Sequence, residues 1–251
     1  MNPLSKDEIP KMRAAGQLAG RTLEMIAKYI KAGITTNEID KIIYDYTLSH
    51  GAVPAPLGYH GYPKSSCTSV NSMICHGVPD ETVLKEGDII NVDITCIKDG
   101  FYGDTSRTFF VGEVSQMART ITDVAEKAMW KGIEEVRAGA TTGDIGFAIN
   151  KFVTKQGFYV VREIGGHGIG KIFHDDPFVP SYGKKGRGPR LAPGCCITVE
   201  PMINQTDAEI EEFDIPGSDI KYYHTADRTL SAQFEHTLLI TDAGYEIMTL
   251  P

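Results

Sequence analysis

The sequence predicts an α+β protein made of two similar halves, and three observations carry that expectation. A stretch at 31–40, KAGITTNEID, returns at 137–146 as RAGATTGDIG, a shift of 106 residues. Apolar residues at three- and four-residue steps lead into each copy, and short β-branched runs broken by Gly and Pro follow it. A repeat this long lies far above solenoid periods, so two halves closing on each other, related by a pseudo-twofold axis, are expected rather than an array. The halves are placed at approximately 1–114 and 115–251, within one domain spanning 1–251.

Each element follows from its own pattern. Met12, Ala15, Ala19, Leu23, Ile26 and Ile30 mark the first helix, and Ile121, Ala125, Ala128, Gly132 and Val136 its counterpart. A second helix in each half starts at a Thr with an acid three residues on, Thr35 with Glu38 and Thr141 with Asp144, and stops near Gly51 or Gly157. The strands repeat as well: LKEGDIINVDI at 84–94 matches LAPGCCITVEP at 191–201, which aligns Asp93 with Glu200. Asp104, in the strand running into TSRTFFVG, then corresponds to Glu235, in the strand running into HTLLITDAG. Ile74-Cys75-His76 and Ile172-Phe173-His174 precede the acidic strands of their halves.

Composition removes several functional classes. The chain has 251 residues, 41% of them hydrophobic and 23% charged, enough to bury a core without disulfide staples. No apolar run approaches the ~20 residues of a membrane span, and MNPLSKDEIP lacks the layout of a secretion signal, so a cytoplasmic protein is expected. Five cysteines, none in a CxxC pair, read as reduced core residues. A net charge of −8 disfavours general nucleic-acid binding.

The acidic strands carry the chemistry. In DIINVDIT, Ile90, Val92 and Ile94 face one side while Asn91, Asp93 and Thr95 face the other. An Asp99-Gly100 hairpin turn sets Lys98 opposite Phe101 and Thr95 opposite Asp104, which makes Asp93 and Asp104 diagonal neighbours roughly 7 Å apart. Like charges that close call for a proton or a cation between them. Glu200 projects away from Ile197 and Val199, and Glu235 away from Phe234 and Leu238, so four carboxylates line one face. With a histidine from GGHGIG (165–170), the set suits divalent metals, with acids bridging two ions.

Taken with YHGYPKSSCTSVNSMICHGVP, GDTSRTFFVG, GGHGIGKIFHDDP, TVEPMI and LSAQFEHTLLIT, these motifs make the chain resemble the methionine aminopeptidases over nearly its whole length. The resemblance implies the pita-bread fold, a curved antiparallel sheet covered by helices, and removal of the initiator methionine from nascent polypeptides when the next residue is small. It implies that Asp93, Asp104, His167, Glu200 and Glu235 ligate two divalent ions (Co, Mn, Fe, Zn or Ni), with Asp104 and Glu235 bridging. Glu200 would also shuttle a proton, His174 would stabilise the oxyanion, and His76 would bond the scissile amide nitrogen. Tyr59, Tyr62, Cys67 and Phe173 match the methionine pocket, and Asn71 a monovalent-cation site. Glu235 follows Glu200 by only 35 positions, which favours the short bacterial type I form over type II.

Two departures stand out. Lys221 occupies the position where relatives commonly carry a rim Trp, and the segment 207–219 is acidic where some present lysines toward the ribosome. The basic loop with Lys184, Lys185, Arg187 and Arg190 is the alternative ribosome contact, although a solvated loop is the plainer reading. A monomer is expected. The rivals are a prolidase-like dipeptidase of the same fold and an inactive relative serving as a binding module, the latter disfavoured because all five ligand positions are intact.

Overall fold

In a computed structural model, which describes residues 2–251, the chain folds as an α+β protein with four helices and antiparallel sheets. The first half of the sequence forms α1 (Ile9–Ile26), α2 (Thr36–Ser49), β1 (Val53–Pro54), a 3-10 turn at Tyr59–Gly61, β2 (Cys67–Val70), β3 (Met73–Cys75), β4 (Ile89–Lys98) and β5 (Phe101–Phe110). The rest forms α3 (Gln116–Ile133), α4 (Thr142–Lys155), β6 (Tyr159–Val160), β7 (Gly166–Ile169), β8 (Asp175–Val179) and β9 (Cys196–Val199). After these come β10 (Met202–Asn204), β11 (Ile210–Asp214), β12 (Lys221–Thr225), β13 (Ser231–Gln233), β14 (His236–Thr241) and β15 (Gly244–Ile247).

The second helix of each pair starts where its capping pair sits. Thr35 and Glu38 exchange bonds, the Glu38 N–H donating to Thr35 Oγ1 at 3.1 Å and the Thr35 N–H to Glu38 Oε2 at 2.8 Å. The Thr141 N–H donates likewise to Asp144 Oδ2 at 2.8 Å. The first helices stop earlier than their apolar periodicity: α1 ends at Ile26 and α3 at Ile133. Ile30 and Val136 still pack on their cores, but from the turns that follow, because turns can bury a residue at helical spacing without continuing the helix.

Each helix pair covers one side of a strand pair. Ile90, Val92 and Ile94 of β4 pack against Leu18, Ala19 and Leu23 of α1 and Ile39 and Ile43 of α2. Ile197 and Val199 of β9 and Leu238 of β14 pack against α3 and α4 through Ile121, Ala125, Ile145 and Ile149. Backbone meets backbone where α1 crosses β5: a Cβ on Gly103 would lie 2.3 Å from the Ala15 carbonyl, so only glycine fits there. Asp104, the next residue, is held at that crossing.

Hydrogen bonding divides the strands into a four-stranded sheet (β1, β2, β4, β5), a five-stranded sheet (β15-β14-β9-β7-β8) and two three-stranded ones. The two large sheets meet where β5 runs beside β13 and β14. The seam is stitched by side chains as much as by backbone: Thr105 Oγ1 donates to Glu235 O (2.6 Å), Thr108 Oγ1 to Gln233 O (2.8 Å) and Thr237 Oγ1 to Asp104 O (2.7 Å). The Glu235 N–H completes it on Ser106 O at 3.0 Å. This seam brings an acid of β5 beside an acid from the other end of the chain.

All five cysteines are unpaired and buried. No helix among the described residues is long and apolar enough to cross a membrane. The Lys184 to Arg190 loop wraps the start of α4, with the Gly186 N–H donating to Asp144 Oδ1 (2.9 Å) and the Gly143 N–H to Arg187 O (2.9 Å).

Candidate metal centre

The β4–β5 hairpin turns at Asp99 and Gly100, both at positive φ, and pairs Thr95 with Asp104 and Asp93 with Ser106. Both acids therefore leave the face opposite the helix-covered core. Thr95 Oγ1 donates to Asp104 Oδ1 at 2.7 Å, which fixes that carboxylate's orientation. On the other sheet Glu200 follows β9, on the same side as Thr198, and Glu235 lies between β13 and β14. The eleven residues expected as metal ligands, substrate histidines and methionine pocket line one cavity of about 350 Å³: Asp93, Asp104, His167, Glu200, Glu235, His76, His174, Tyr59, Tyr62, Cys67 and Phe173.

His167 enters from β7. Its backbone N–H donates to Thr198 Oγ1 (2.9 Å), and the Thr198 hydroxyl donates in turn to Glu200 Oε1 (2.8 Å), so one threonine sets both groups. The second Glu200 oxygen accepts from Gln233 Nε2 at 3.2 Å. His167 Nδ1 faces its neighbour's carbonyl, Gly168 O, at 3.0 Å. A carbonyl only accepts, so Nδ1 carries the hydrogen and Nε2 is left 3.6 Å from both Asp104 Oδ2 and Glu200 Oε1.

A neutral imidazole would aim a lone pair at two carboxylates there, an arrangement that needs a proton or a cation. Donation of the other ring N–H to a backbone carbonyl is also how metal-ligating histidines are oriented. Ligand atoms of Asp104, His167 and Glu235 all lie within 4.8 Å of one another. Glu235 is 2% exposed, and its Oε1 is buried without a hydrogen-bond partner. An orphaned carboxylate oxygen costs several kcal/mol unless something cationic meets it, and this donor set fits a divalent ion.

The electrostatics agree. Burial, then the charges of Asp104 and Glu200, pushes the Asp93 carboxyl well above the usual carboxylate range. Glu235 is raised well above that range by burial and the same two neighbours. Glu200 is pushed up to about 7 by burial and by Asp104, against the opposing effect of His167. Burial alone would lower His167, but the nearby carboxylates of Asp104 and Glu200 more than offset that and raise it. So many acids resisting ionisation in one cavity mark a place built for cations.

The two remaining histidines are held differently. His76 Nδ1 lies 2.9 Å from the Lys221 carbonyl and so carries the hydrogen, leaving Nε2 as an acceptor; burial pushes its pKa down and keeps the ring neutral. His174 Nδ1 meets Tyr59 Oη at 3.0 Å, and the ring stacks on Phe173 with centroids 4.1 Å apart. Its pKa is also lowered, by desolvation and then by His167. Tyr62 is the most fixed of the aromatic candidates, its hydroxyl donating to Ser66 O (3.2 Å) and Gly77 O (3.0 Å).

Two features of the sequence end up elsewhere. The Lys221 side chain is not at the cavity: its ammonium pairs with Glu212 and lies 3.7 Å from Asp214, both on β11, while Ile220 lines the wall. Its main chain does the site's work, as the acceptor for His76. Asn71 sits in a left-handed turn and ties β4 to β13. Its Oδ1 accepts from the Ile89 N–H (3.0 Å), Nδ2 donates to Asp88 (2.8 Å), and its carbonyl accepts from the Ser231 N–H (2.9 Å). Thr198, Gln233 and Phe178, which sequence reasoning did not single out, complete the surroundings. Thr198 was foreshadowed only by its spacing two residues before Glu200.

Residues 10–242 match the model of metallopeptidase family M24. Methionine aminopeptidase A of Synechocystis is 52% identical over 248 residues, covering 98% of this chain and 96% of its own. The crystal structure of methionine aminopeptidase from Rickettsia prowazekii superposes with a TM-score of 0.96 at 46% identity, covering 100% of each chain. Prolidase from Pyrococcus furiosus shares the fold alone, at 21% identity and a TM-score of 0.79 over 65% of its length.

Proposed function

The chain belongs to metallopeptidase family M24 and is a metal-dependent methionyl aminopeptidase, a hydrolase that takes methionine from polypeptide N-termini; from that premise we propose how its residues divide the work. Asp93, Asp104, His167, Glu200 and Glu235 would hold two divalent ions, Asp104 and Glu235 serving both. When bound, the ions supply an activated water and a polarised carbonyl at neutral pH. The observation that carries this reading is His167 Nε2 set 3.6 Å from two carboxylates beside the orphaned oxygen of Glu235.

His76 presents an unprotonated Nε2 and accepts the hydrogen bond of the scissile amide N–H. The Tyr59 hydroxyl donates to His174 Nδ1, which fixes the ring as an Nε2–H donor to the carbonyl oxygen as negative charge builds on it. Glu200, held at both oxygens, carries a proton from water to the leaving amine. Tyr59, Tyr62, Cys67 and Phe173 make the apolar seat for the methionine side chain. A monovalent cation bound by backbone oxygens beside Asn71, a two-half organisation (approximately 1–114 and 115–251), a monomeric state and a ribosome contact through the exposed Lys184, Lys185, Arg187 and Arg190 belong to the same reading.

A cavity of about 350 Å³ leaves little room beyond the terminal residue, so the second side chain meets its rim. Methionine release from Met-X-Ser peptides, with X spanning Gly, Ala, Val, Leu, Glu and Lys, tests this. Gly and Ala should be fast. Leu, Glu and Lys should fall by up to about 100-fold, since overpacking costs roughly 1–3 kcal/mol. A flat series would contradict gating at the second residue.

A further inference from the structure

The hydroxyl that meets His174 stands on an outer loop. Tyr59 is half-buried, while Leu57, Gly58, His60 and Gly61 around it are exposed. Gly58, His60 and Gly61 all have positive φ, of 83°, 46° and 80°. His60 is the costly one, because its Cβ crowds the backbone in the left-handed region that glycine enters freely. Within the loop the Tyr59 N–H donates to Pro56 O (3.0 Å), the Tyr62 N–H to Tyr59 O (2.9 Å) and the Gly58 N–H to Tyr62 O (2.8 Å). Such bonds give the loop its shape, but they do not fix where it stands relative to His174, 115 residues further along the chain.

A second turn supplies that tie. Between β11 and β12, Ser218 Oγ donates to the His60 carbonyl at 2.8 Å, and the Asp219 N–H donates to the same oxygen at 2.9 Å. Ser218 Oγ also accepts the Ile220 N–H at 3.0 Å, so one hydroxyl bonds both its own turn and the loop. This turn is well anchored: Ile215 is 4% exposed and packs with Tyr62 and Cys67 of the cavity wall. Gly217 O approaches the loop so closely that a Cβ on Gly61 would lie 2.1 Å from it. Two bonds on one carbonyl thus hold His60 in its left-handed backbone, and Tyr59 is its neighbour. We propose that Ser218 is a positioning residue that, through the His60 carbonyl, holds the Tyr59 hydroxyl against His174 Nδ1. The Tyr59 ring has further support from Phe173, with centroids 4.9 Å apart, but ring packing tolerates small shifts that a 3.0 Å hydrogen bond does not. Loss of the tie is therefore felt at the hydroxyl before it is felt in the methionine seat. This inference rests on the roles read above for Tyr59 and His174.

The test measures kcat and KM for Met-Ala-Ser on the metal-loaded protein. Ser218→Ala should lower kcat about two- to tenfold, no more than Tyr59→Phe does, with KM and bound metal unchanged. Ser218→Thr, which keeps the hydroxyl, should turn over as the wild type does. In the Tyr59→Phe background Ser218→Ala should cost nothing further, an outcome that a merely structural role would not give. Wild-type kcat in Ser218→Ala, a threonine variant as slow as the alanine one, a loss confined to KM, or the same loss repeated in the Tyr59→Phe background would overturn the proposal while leaving the role of His174 intact. Wild-type turnover in Tyr59→Phe would remove the bond on which this inference rests, and wild-type turnover in His174→Ala would overturn the functional reading of that histidine as well.

Discussion

Replacing His174 by alanine separates the chemistry from metal binding. The ring is kept neutral by its surroundings, and with the Tyr59 hydroxyl donating to Nδ1, as proposed above, across their 3.0 Å contact, the free nitrogen is an N–H donor. Removing one preorganised donor to a developing oxyanion costs roughly 2.7–4 kcal/mol, or about 10²–10³ in kcat. The loss should appear in kcat with little change in KM, because the bond strengthens only as charge accumulates on the carbonyl oxygen. Tyr59→Phe removes only the bond that selects the tautomer, about 0.5–1.5 kcal/mol, and should cost about two- to tenfold. The two act through one ring, so the double variant should be no slower than His174→Ala alone. The assay is methionine release from Met-Ala-Ser with metal content measured on the same samples. Metal loss in His174→Ala would make the histidine a ligand, and multiplicative losses in the double variant would give the Tyr59 hydroxyl a role apart from His174; either result refutes the reasoning.

Two further outcomes follow from the same geometry. Asp104→Ala and Glu235→Ala should each abolish turnover and lower bound metal, since each is proposed to serve both ions; full metal content with activity in either variant would remove the bridging roles. His236, half-buried against Trp130 and Thr249, has its pKa pushed down to about 4 and is neutral in the fold. An unfolded histidine titrates near 6.5, so between pH 6.5 and 4 unfolding takes up a proton at this residue and stability falls as the pH falls, by at most about 3 kcal/mol. His236→Gln should flatten that part of the Tm profile of the metal-loaded protein relative to wild type; parallel profiles would show that His236 is not the group responsible.

Much of this arrangement was legible in the sequence because local rules fix it. The Asp99-Gly100 turn sets the hairpin register, and the register alone places Asp93 and Asp104 on one face away from Ile90, Val92 and Ile94. The Thr35 and Thr141 capping pairs mark where two helices start. The repeat relates β4 and β5 to β9 and β14, strands interrupted in the second case by the 35-residue run from Glu200 to Glu235. What was not legible depends on contacts between distant segments. No spacing rule announces that Thr105, Thr108 and Thr237 stitch the seam, that Thr198 serves both His167 and Glu200, or that the Lys221 side chain turns to Glu212 while its carbonyl holds His76. The tautomers of His167 and His76 are set by carbonyls 1 and 145 residues away, and His174 Nδ1 meets a hydroxyl 115 residues away.

The proposed chemistry depends on a two-ion centre held by five side chains, and anomalous diffraction from crystals of the protein grown with Mn²⁺ addresses it directly. Two anomalous peaks, about 3.5–4 Å apart, should appear among Asp93, Asp104, His167, Glu200 and Glu235, as in other two-metal hydrolytic sites. A single peak at full occupancy and saturating Mn²⁺, or peaks bound by any other set of residues, would contradict it.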